Sequence, residues 1–195
     1  MNGLLQSVFS WLSRLASRKS SDKKTPTPEP IRIDTPLNLS RVILMLRNEE
    51  GVRHQPYQDH LGYWTIGVGH LIDERKGGSL PEWAQAELDR TGRLSDASVD
   101  KLLEDDIIKV VNQLEDKIWW SVNLDPVRYA VLLDMAFQMG INGLLGFKNT
   151  LAMIESDDYD RAADGMLNSL WAKQTPNRAR RRSQEMRTGV FHDYK

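Results

Sequence analysis

The sequence contains no cysteine among its 195 residues. Disulfide bridges and thiolate metal sites are therefore excluded, and the chain needs no redox step to become active in a reducing or an oxidising compartment. Its histidines do not have the spacing of metal ligands; they are His54, His60, His70 and His192. We therefore expect neither a metal site nor a cofactor.

A strong net charge and long apolar runs are also missing. The formal net charge is −1, so no overall field attracts nucleic acid, and we expect no nucleic-acid partner. No stretch reaches the roughly 20 apolar residues that span a membrane. Positive charge is concentrated near the end of the chain, at Arg178, Arg180, Arg181, Arg182 and Arg187. A solvated helix face is the commoner explanation for such a cluster, and attraction to an anionic surface is the other.

The segment 49–70 carries the strongest sign of chemistry. Apolar residues at helical spacing precede it, and Gly51 is the usual stop signal, so Glu50 lies at the end of a helix and faces the apolar interior. Asp59 follows in a polar turn, and Thr65 comes six residues later. Such a spacing is common without catalysis. Two carboxyl groups in contrasting surroundings are nevertheless what glycoside hydrolysis needs, since one donates a proton while the other acts on the opposite face of the sugar.

The residues around these carboxyl groups resemble the lysozymes of T-even bacteriophages and their relatives. The resemblance continues through further blocks in the same order, at 62–70, 137–140, 146–151, 171–179, 187–189 and 193–195, and covers about residues 38–195. In that family, the residue that matches Glu50 is the general acid. The residues that match Asp59 and Thr65 hold and activate the attacking water.

The resemblance also implies which residues line the substrate groove. These are Leu71, Phe137, Gln138 and Thr150. For Phe137 taken alone, packing in the core is the commoner explanation. The chain departs from the family at Gly165, where related lysozymes often carry an asparagine that touches the substrate.

The fold that the resemblance implies is α+β, mainly helical and two-lobed. A small lobe with a hairpin occupies about residues 38–95, a long connecting helix about 96–119, and a helical lobe about 120–195. In the family, a histidine that matches His70 pairs with an aspartate of the long helix, here Asp106. The residues before this domain predict an amphipathic helix at 1–18 and a proline-rich linker at 19–37.

Turn residues, strand-forming residues and helix caps predict where the strands and helices of this domain lie. Strands are expected at 56–59 and 63–68, with Gly62 in the turn, and a short helix is expected after Pro81. Three further helices have predicted starts at Ser95-Asp96, Asp125-Pro126 and Thr175-Pro176. The helix at 127–139 is apolar nearly all round, which predicts a buried central helix.

The resemblance, together with the two contrasting carboxyl groups, implies a bacteriolytic N-acetylmuramidase that hydrolyses the β-1,4 bond between N-acetylmuramic acid and N-acetylglucosamine in peptidoglycan. We expect a monomeric endolysin that inverts the anomeric carbon, is made in a bacterial host's cytoplasm and acts in the periplasm. The alternative is a lysozyme-fold module of a virion that binds peptidoglycan without cutting it. The intact set of Glu50, Asp59 and Thr65 argues against that alternative.

The N-terminal segment allows two interpretations. Residues 1–6 lack the basic residues of a secretory signal peptide, and polar residues interrupt the apolar run that follows. An apolar face with Phe9 and Trp11, followed by basic residues up to Lys24, suits a helix that lies on an anionic membrane surface. A helix docked on the catalytic domain or on a partner fits the pattern equally well, but it would need no long spacer. We therefore favour the interpretation in which residues 1–24 contact an anionic membrane surface.

Overall fold

The computed structural model describes residues 36–193, with side chains from residue 39 onward. The predicted amphipathic helix at 1–18 and nearly all of the predicted linker lie outside the described residues. The first described element is helix α1, Pro36–Glu50. It begins before the apolar pattern that predicted it and ends where Gly51 predicted, with the backbone of Gly51 at a φ of 75°.

A three-stranded antiparallel sheet follows α1. Its strands are β1 (Arg53–Gln58), β2 (Trp64–Gly67) and β3 (His70–Leu71), in the order β1-β2-β3. The predicted hairpin is confirmed, although β1 begins at Arg53 rather than at residue 56. Tyr57 pairs with Thr65 across the hairpin. The third strand was not predicted, because two residues are too few to show an alternating pattern.

Three elements follow the sheet in the chain. They are a 3₁₀ turn (Glu74–Lys76), helix α2 (Glu82–Thr91) and the long helix α3 (Asp96–Lys117). The side chain of Ser95 accepts a hydrogen bond from the backbone of Ser98, which confirms the predicted start of α3. At 22 residues, α3 is about 33 Å long. It contacts both the sheet and the helices that follow, so it links the two halves of the molecule.

The central helix of the second half is α4, Pro126–Leu145, which follows a 3₁₀ turn at Trp119–Asn123. Asp125 caps it by accepting hydrogen bonds from the backbone of Val127 and Arg128, as predicted. Regular helical geometry breaks at Gly140, with φ 74° and ψ 161°, a conformation that favours glycine. The apolar helix predicted to end at residue 139 is therefore confirmed. It also buries one charged residue, Asp134.

Four short helices complete the described chain. They are α5 (Lys148–Glu155), α6 (Tyr159–Leu167), α7 (Leu170–Gln174) and α8 (Pro176–Thr188). Pro176 opens α8 as predicted, but the predicted side-chain cap at Thr175 is wrong. The Thr175 hydroxyl instead donates to the carbonyl oxygen of Trp171 at 3.1 Å, because Thr175 also ends α7.

One continuous apolar core joins the halves of the molecule. It contains residues of α1, the sheet, α3 and α4, such as Leu46, Ile66, Leu103 and Leu132. Helix α1 contacts α3 and α4, and the sheet follows it directly in the chain. Its C-terminal end therefore lies between the two halves. The predicted α+β, mainly helical architecture is confirmed. Within residues 36–193, no single helix is long and apolar enough to cross a membrane, and only the bent pair α4 and α5 meets that test jointly, with 105° between them.

Candidate active site

Glu50 is held at the end of α1 by an arginine from the far end of the chain. Nη1 of Arg178, on α8, lies 2.6 Å from Oε1 of Glu50. The side chain of Glu50 is 26% exposed, whereas that of Arg178 is only 6% exposed. Arg178 therefore fixes Oε1 of Glu50, while part of the Glu50 side chain stays accessible to solvent.

Arg178 is itself fixed by the buried aspartate of the central helix. Its Nε and Nη2 atoms donate to the two carboxylate oxygens of Asp134 at 3.0 and 2.9 Å, in the forked geometry of an arginine–carboxylate pair. Burial alone would lower the pKa of Arg178, but the charge and hydrogen bonds of Asp134, together with those of Glu50, raise it. Arg178 is therefore a permanent cation with a fixed orientation beside Glu50.

Asp59 occupies the tight turn between β1 and β2. Its Oδ1 accepts the backbone N–H groups of Leu61 and Tyr63, at 2.8 and 2.9 Å. The turn is closed by a further hydrogen bond from the backbone of Gly62 to the Asp59 carbonyl oxygen, and Gly62 has a φ of 79°. Within the described part of the chain, the hydrogen bonds of this carboxylate all go to Oδ1. Oδ2 is thus the oxygen that can accept a hydrogen bond from a water molecule.

Thr65 lies on β2, directly across the hairpin from Tyr57. Its side chain is buried, and its hydroxyl donates to the carbonyl oxygen of Tyr57 at 3.3 Å. Since the hydroxyl proton is used within the hairpin, Oγ1 has lone pairs left with which to accept a hydrogen bond. Thr65 therefore offers a fixed acceptor on the same hairpin that carries Asp59.

The structure brings His70 and Asp106 together as the resemblance implied. Nδ1 of His70, on β3, lies 2.6 Å from Oδ2 of Asp106, on α3, and Nε2 lies 3.0 Å from the carbonyl oxygen of Ser79. Both ring nitrogens face acceptors, which favours the doubly protonated ring. Burial lowers the pKa of His70, but the hydrogen bond and charge of Asp106 outweigh it, and the pKa is raised above 6.5. Burial likewise raises the pKa of Asp106, but His70 and Lys109 lower it below 3.8.

Replacing either member of this pair by asparagine should lower the free energy of unfolding by up to about 3 kcal/mol, the lower end for a buried pair, because 18% of the Asp106 side chain remains exposed. His70 contributes fully below pH 6.5 and loses its contribution as the pH rises through its raised folded pKa. Asp106 contributes fully above pH 3.8 and loses its contribution as the pH falls through its lowered one. In urea unfolding from pH 3 to 9, the free energy of unfolding of the wild type should therefore exceed that of either variant by the most between pH 3.8 and pH 6.5. Additive effects in the double variant would contradict the pair.

The four predicted groove residues have different surroundings. Leu71 lies half-buried on β3, and Phe137 is half-buried against the core. Oε1 of Gln138 accepts the indole N–H of Trp171 at 2.7 Å. The side chain of Thr150 is buried in α5. Sugar contact by these four residues stays a prediction.

Gly165 explains part of the surroundings of Thr150. A Cβ atom added at position 165 would lie 2.8 Å from Oγ1 of Thr150, which is too close. We expect any side chain at position 165 to displace Thr150.

The sequence did not predict the ion pairs behind Glu50. The arginine cluster of α8 was explained as a solvated face, and this is wrong for Arg178 and Arg182, which are 5% and 0% exposed. Arg182 pairs with Glu185 at 3.1 Å and lies 3.9 Å from Asp134. One signal could have revealed the network, since a lone aspartate in an otherwise apolar helix must find a cationic partner. No group of three or more potential metal ligands is present within residues 36–193.

Comparison with known proteins identifies the family. The phage lysozyme family model matches residues 47–185. "Probable T4-type lysozyme 1" of Dictyostelium discoideum is 36% identical over 163 residues, which cover 77% of this chain and 96% of that protein. The "Pre-baseplate central spike protein Gp5" of Enterobacteria phage T4 is 30% identical over 77% of this chain and 28% of its own length. The "Endolysin" of Salmonella phage P22 is 28% identical over 69% of this chain and 82% of its own length.

The chain belongs to the phage lysozyme family. Its class is therefore that of the lysozymes, glycosidases whose substrate is peptidoglycan.

Proposed function

We propose that this lysozyme is an N-acetylmuramidase, which cleaves the β-1,4 bond between N-acetylmuramic acid and N-acetylglucosamine. The observation that carries the proposal is the contrast between two carboxyl groups. Glu50 ends α1 with one oxygen held by Arg178, whereas Asp59 sits in a hairpin turn with one oxygen held by backbone N–H groups. The two carboxyl groups thus have different partners, an arginine for Glu50 and backbone N–H groups for Asp59, and contrasting surroundings are what separate acid and base roles require.

In the proposed reaction, Glu50 protonates the oxygen that leaves with N-acetylglucosamine. Asp59 and Thr65 accept hydrogen bonds from a water molecule, which attacks the anomeric carbon of N-acetylmuramic acid from the opposite face. Breaking the glycosidic bond gives two hydroxyl products, and the proton lost by water passes to Asp59. Leu71, Phe137, Gln138 and Thr150 line the groove in this proposal. No cofactor takes part.

The stereochemistry of the product tests this proposal. A water placed by Asp59 and Thr65 requires carboxyl groups about 6.5 to 9.5 Å apart and inverts the anomeric carbon. We expect the first muropeptides, observed by NMR before mutarotation, to carry the α-anomer at N-acetylmuramic acid. A β-anomer or a covalent sugar adduct on Asp59 would contradict inversion. Anhydro-muramic products in the mass spectrum would instead indicate a transglycosylase.

The biological role that we propose is that of an endolysin in host lysis. The protein would be made in the bacterial cytoplasm and act as a monomer in the periplasm, where a chain without cysteine needs no oxidation. A second candidate arises from the similarity to Gp5, which is named as a central spike protein. In that case the chain would be a virion module that binds peptidoglycan without cutting it. Loss of turbidity in chloroform-treated Gram-negative cells would support the endolysin, and unchanged turbidity would support the binding module.

We also propose that residues 1–24 touch an anionic membrane surface. The support is the sequence pattern of this segment, in which an apolar face with Trp11 precedes basic residues. Deleting residues 1–35 should leave activity on purified peptidoglycan unchanged. It should reduce the fraction of protein that co-sediments with phosphatidylglycerol vesicles. The full chain with Trp11→Ser is a matched control that should weaken binding less. Binding that survives the deletion, or a deletion that unfolds the enzyme, would contradict the membrane contact.

A further inference from the structure

We propose that Arg75 is a positioning residue for Asp59, acting through the peptide group between Gly62 and Tyr63. This inference rests on the proposed function of Asp59. Arg75 lies in the 3₁₀ turn after β3. Neither the sequence motifs nor the family resemblance pointed to it.

The first step is the pair that Arg75 forms with Asp73. Nε of Arg75 donates to Oδ1 of Asp73 at 2.8 Å, and Nη2 donates to Oδ2 at 2.6 Å. Asp73 is buried, with its side chain 3% exposed, whereas the side chain of Arg75 is 66% exposed. The hydrogen bond from Arg75 outweighs the effect of burial and holds the pKa of Asp73 well below its usual range. Asp73 and Arg75 therefore form an ion pair.

The second step is the link from this pair to the hairpin turn. Nη2 of Arg75 also donates to the carbonyl oxygen of Gly62 at 3.0 Å. Oδ2 of Asp73 accepts the backbone N–H of Trp64 at 3.1 Å. The side chains of Asp73 and Arg75 thus hold the turn at two consecutive peptide groups.

The third step is the shared peptide group. The carbonyl of Gly62 and the N–H of Tyr63 belong to one planar unit, so fixing the carbonyl also fixes the direction of the N–H. That N–H donates to Oδ1 of Asp59 at 2.9 Å. A cation on the carbonyl oxygen also polarises the peptide and strengthens its N–H as a donor. Arg75 therefore acts on the Asp59 carboxylate through a single peptide group.

The loop that carries Asp73 and Arg75 is held tightly in place. The backbone N–H of Gly78 donates to the carbonyl oxygen of Asp73 at 3.0 Å. A Cβ atom at position 78 would lie 2.7 Å from the carbonyl oxygen of Leu71 and 2.8 Å from the backbone nitrogen of Asp73. Only glycine fits this close approach, so the loop that carries Asp73 and Arg75 is tightly packed against β3. The guanidinium group of Arg75 also lies 5.4 Å from the ring centre of Tyr63, which further fixes the turn.

The test compares Arg75→Met with Arg53→Met on purified peptidoglycan. Arg53 is also exposed and lies over an aromatic ring of the same hairpin, 5.3 Å from the ring centre of Tyr57, but the structure gives it no contact with the Asp59 turn. Arg75→Met should lower kcat about tenfold, the size of one lost hydrogen bond, with KM changed less than twofold. Arg53→Met should leave both unchanged. Arg75→Lys cannot span Asp73 and Gly62 together and should give an intermediate kcat.

A spectroscopic readout separates positioning from a merely structural role. In Arg75→Met, the amide proton of Tyr63 should shift upfield and exchange faster with solvent, while amides of α4 remain as protected as in the wild type. A wild-type kcat, or an unchanged Tyr63 amide, would overturn the proposal. If Arg75→Met fails to fold, Arg75→Lys decides the question by the same two measurements. Asp59→Asn belongs in the same series, because an active Asp59→Asn would contradict the proposed function itself, whereas the amide measurement depends only on the structure.

Discussion

Replacing Glu50 by glutamine should remove nearly all lytic activity and leave the fold intact. An amide has almost the size of a carboxyl group, and its oxygen can still accept the hydrogen bond from Nη1 of Arg178. The amide cannot donate a catalytic proton to the leaving oxygen. General acid catalysis is worth about 10² to 10⁴ in rate, so the clearing of chloroform-treated Gram-negative cells should slow by at least that lower factor.

A matched control for this variant is Glu82→Gln, at the exposed start of α2. It removes one carboxylate from the same half of the molecule and should change neither the lysis rate nor the melting temperature. Glu50→Gln should share its melting temperature and differ only in rate. If Glu50→Gln kept half of the wild-type activity, Glu50 could not be the general acid, and the proposed mechanism would have to be abandoned.

Elements with local signals were predictable from the sequence. Gly51 ends α1, while Ser95 and Asp125 cap α3 and α4, because each of these contacts joins residues only a few positions apart. The Asp59 turn is local for the same reason, since its hydrogen bonds reach only to residues 61 and 63. Thr175 shows the limit of such reasoning. The cap failed there because the same residue had to end the preceding helix.

Long-range ion pairs were not predictable in this way. Arg178 is separated by 44 residues from Asp134 and by 128 residues from Glu50, and no periodicity connects such positions. The Arg75 contact with Gly62 spans only 13 residues, yet it depends on the tight turn after β3, which the sequence did not reveal. The carboxyl groups proposed for catalysis are therefore easier to find in the sequence than the residues that hold their side chains in place.

Truncating Arg178 should cause the largest loss of stability among the variants considered. Arg178→Met would leave Asp134, which is completely buried, with a charge that Arg182 at 3.9 Å balances only in part. Removing one partner of a buried ion pair typically costs about 3 to 5 kcal/mol. We expect a loss of this size in the free energy of unfolding measured in urea at pH 7. Activity should fall as well, because Glu50 loses the group that orients it.

Arg180 offers the matched control on the same helix. It is exposed, and its guanidinium group bonds Asn177 one turn away. Arg180→Met should change the free energy of unfolding by less than about 0.5 kcal/mol, although both variants remove one arginine from α8. Equal losses in the two variants would contradict the buried network.

A double variant distinguishes the buried charge from lost packing. Asp134→Asn removes the charge that Arg178→Met leaves unpaired, so the combination should be more stable than Arg178→Met alone. Activity should not return in the double variant, because the amide at position 134 does nothing to orient Glu50. Stability that falls further in the combination would mean that packing, rather than the unpaired carboxylate, accounts for the cost. Recovery of stability without activity would instead separate the two roles of Arg178, which neutralises Asp134 in the core and orients Glu50 at its edge.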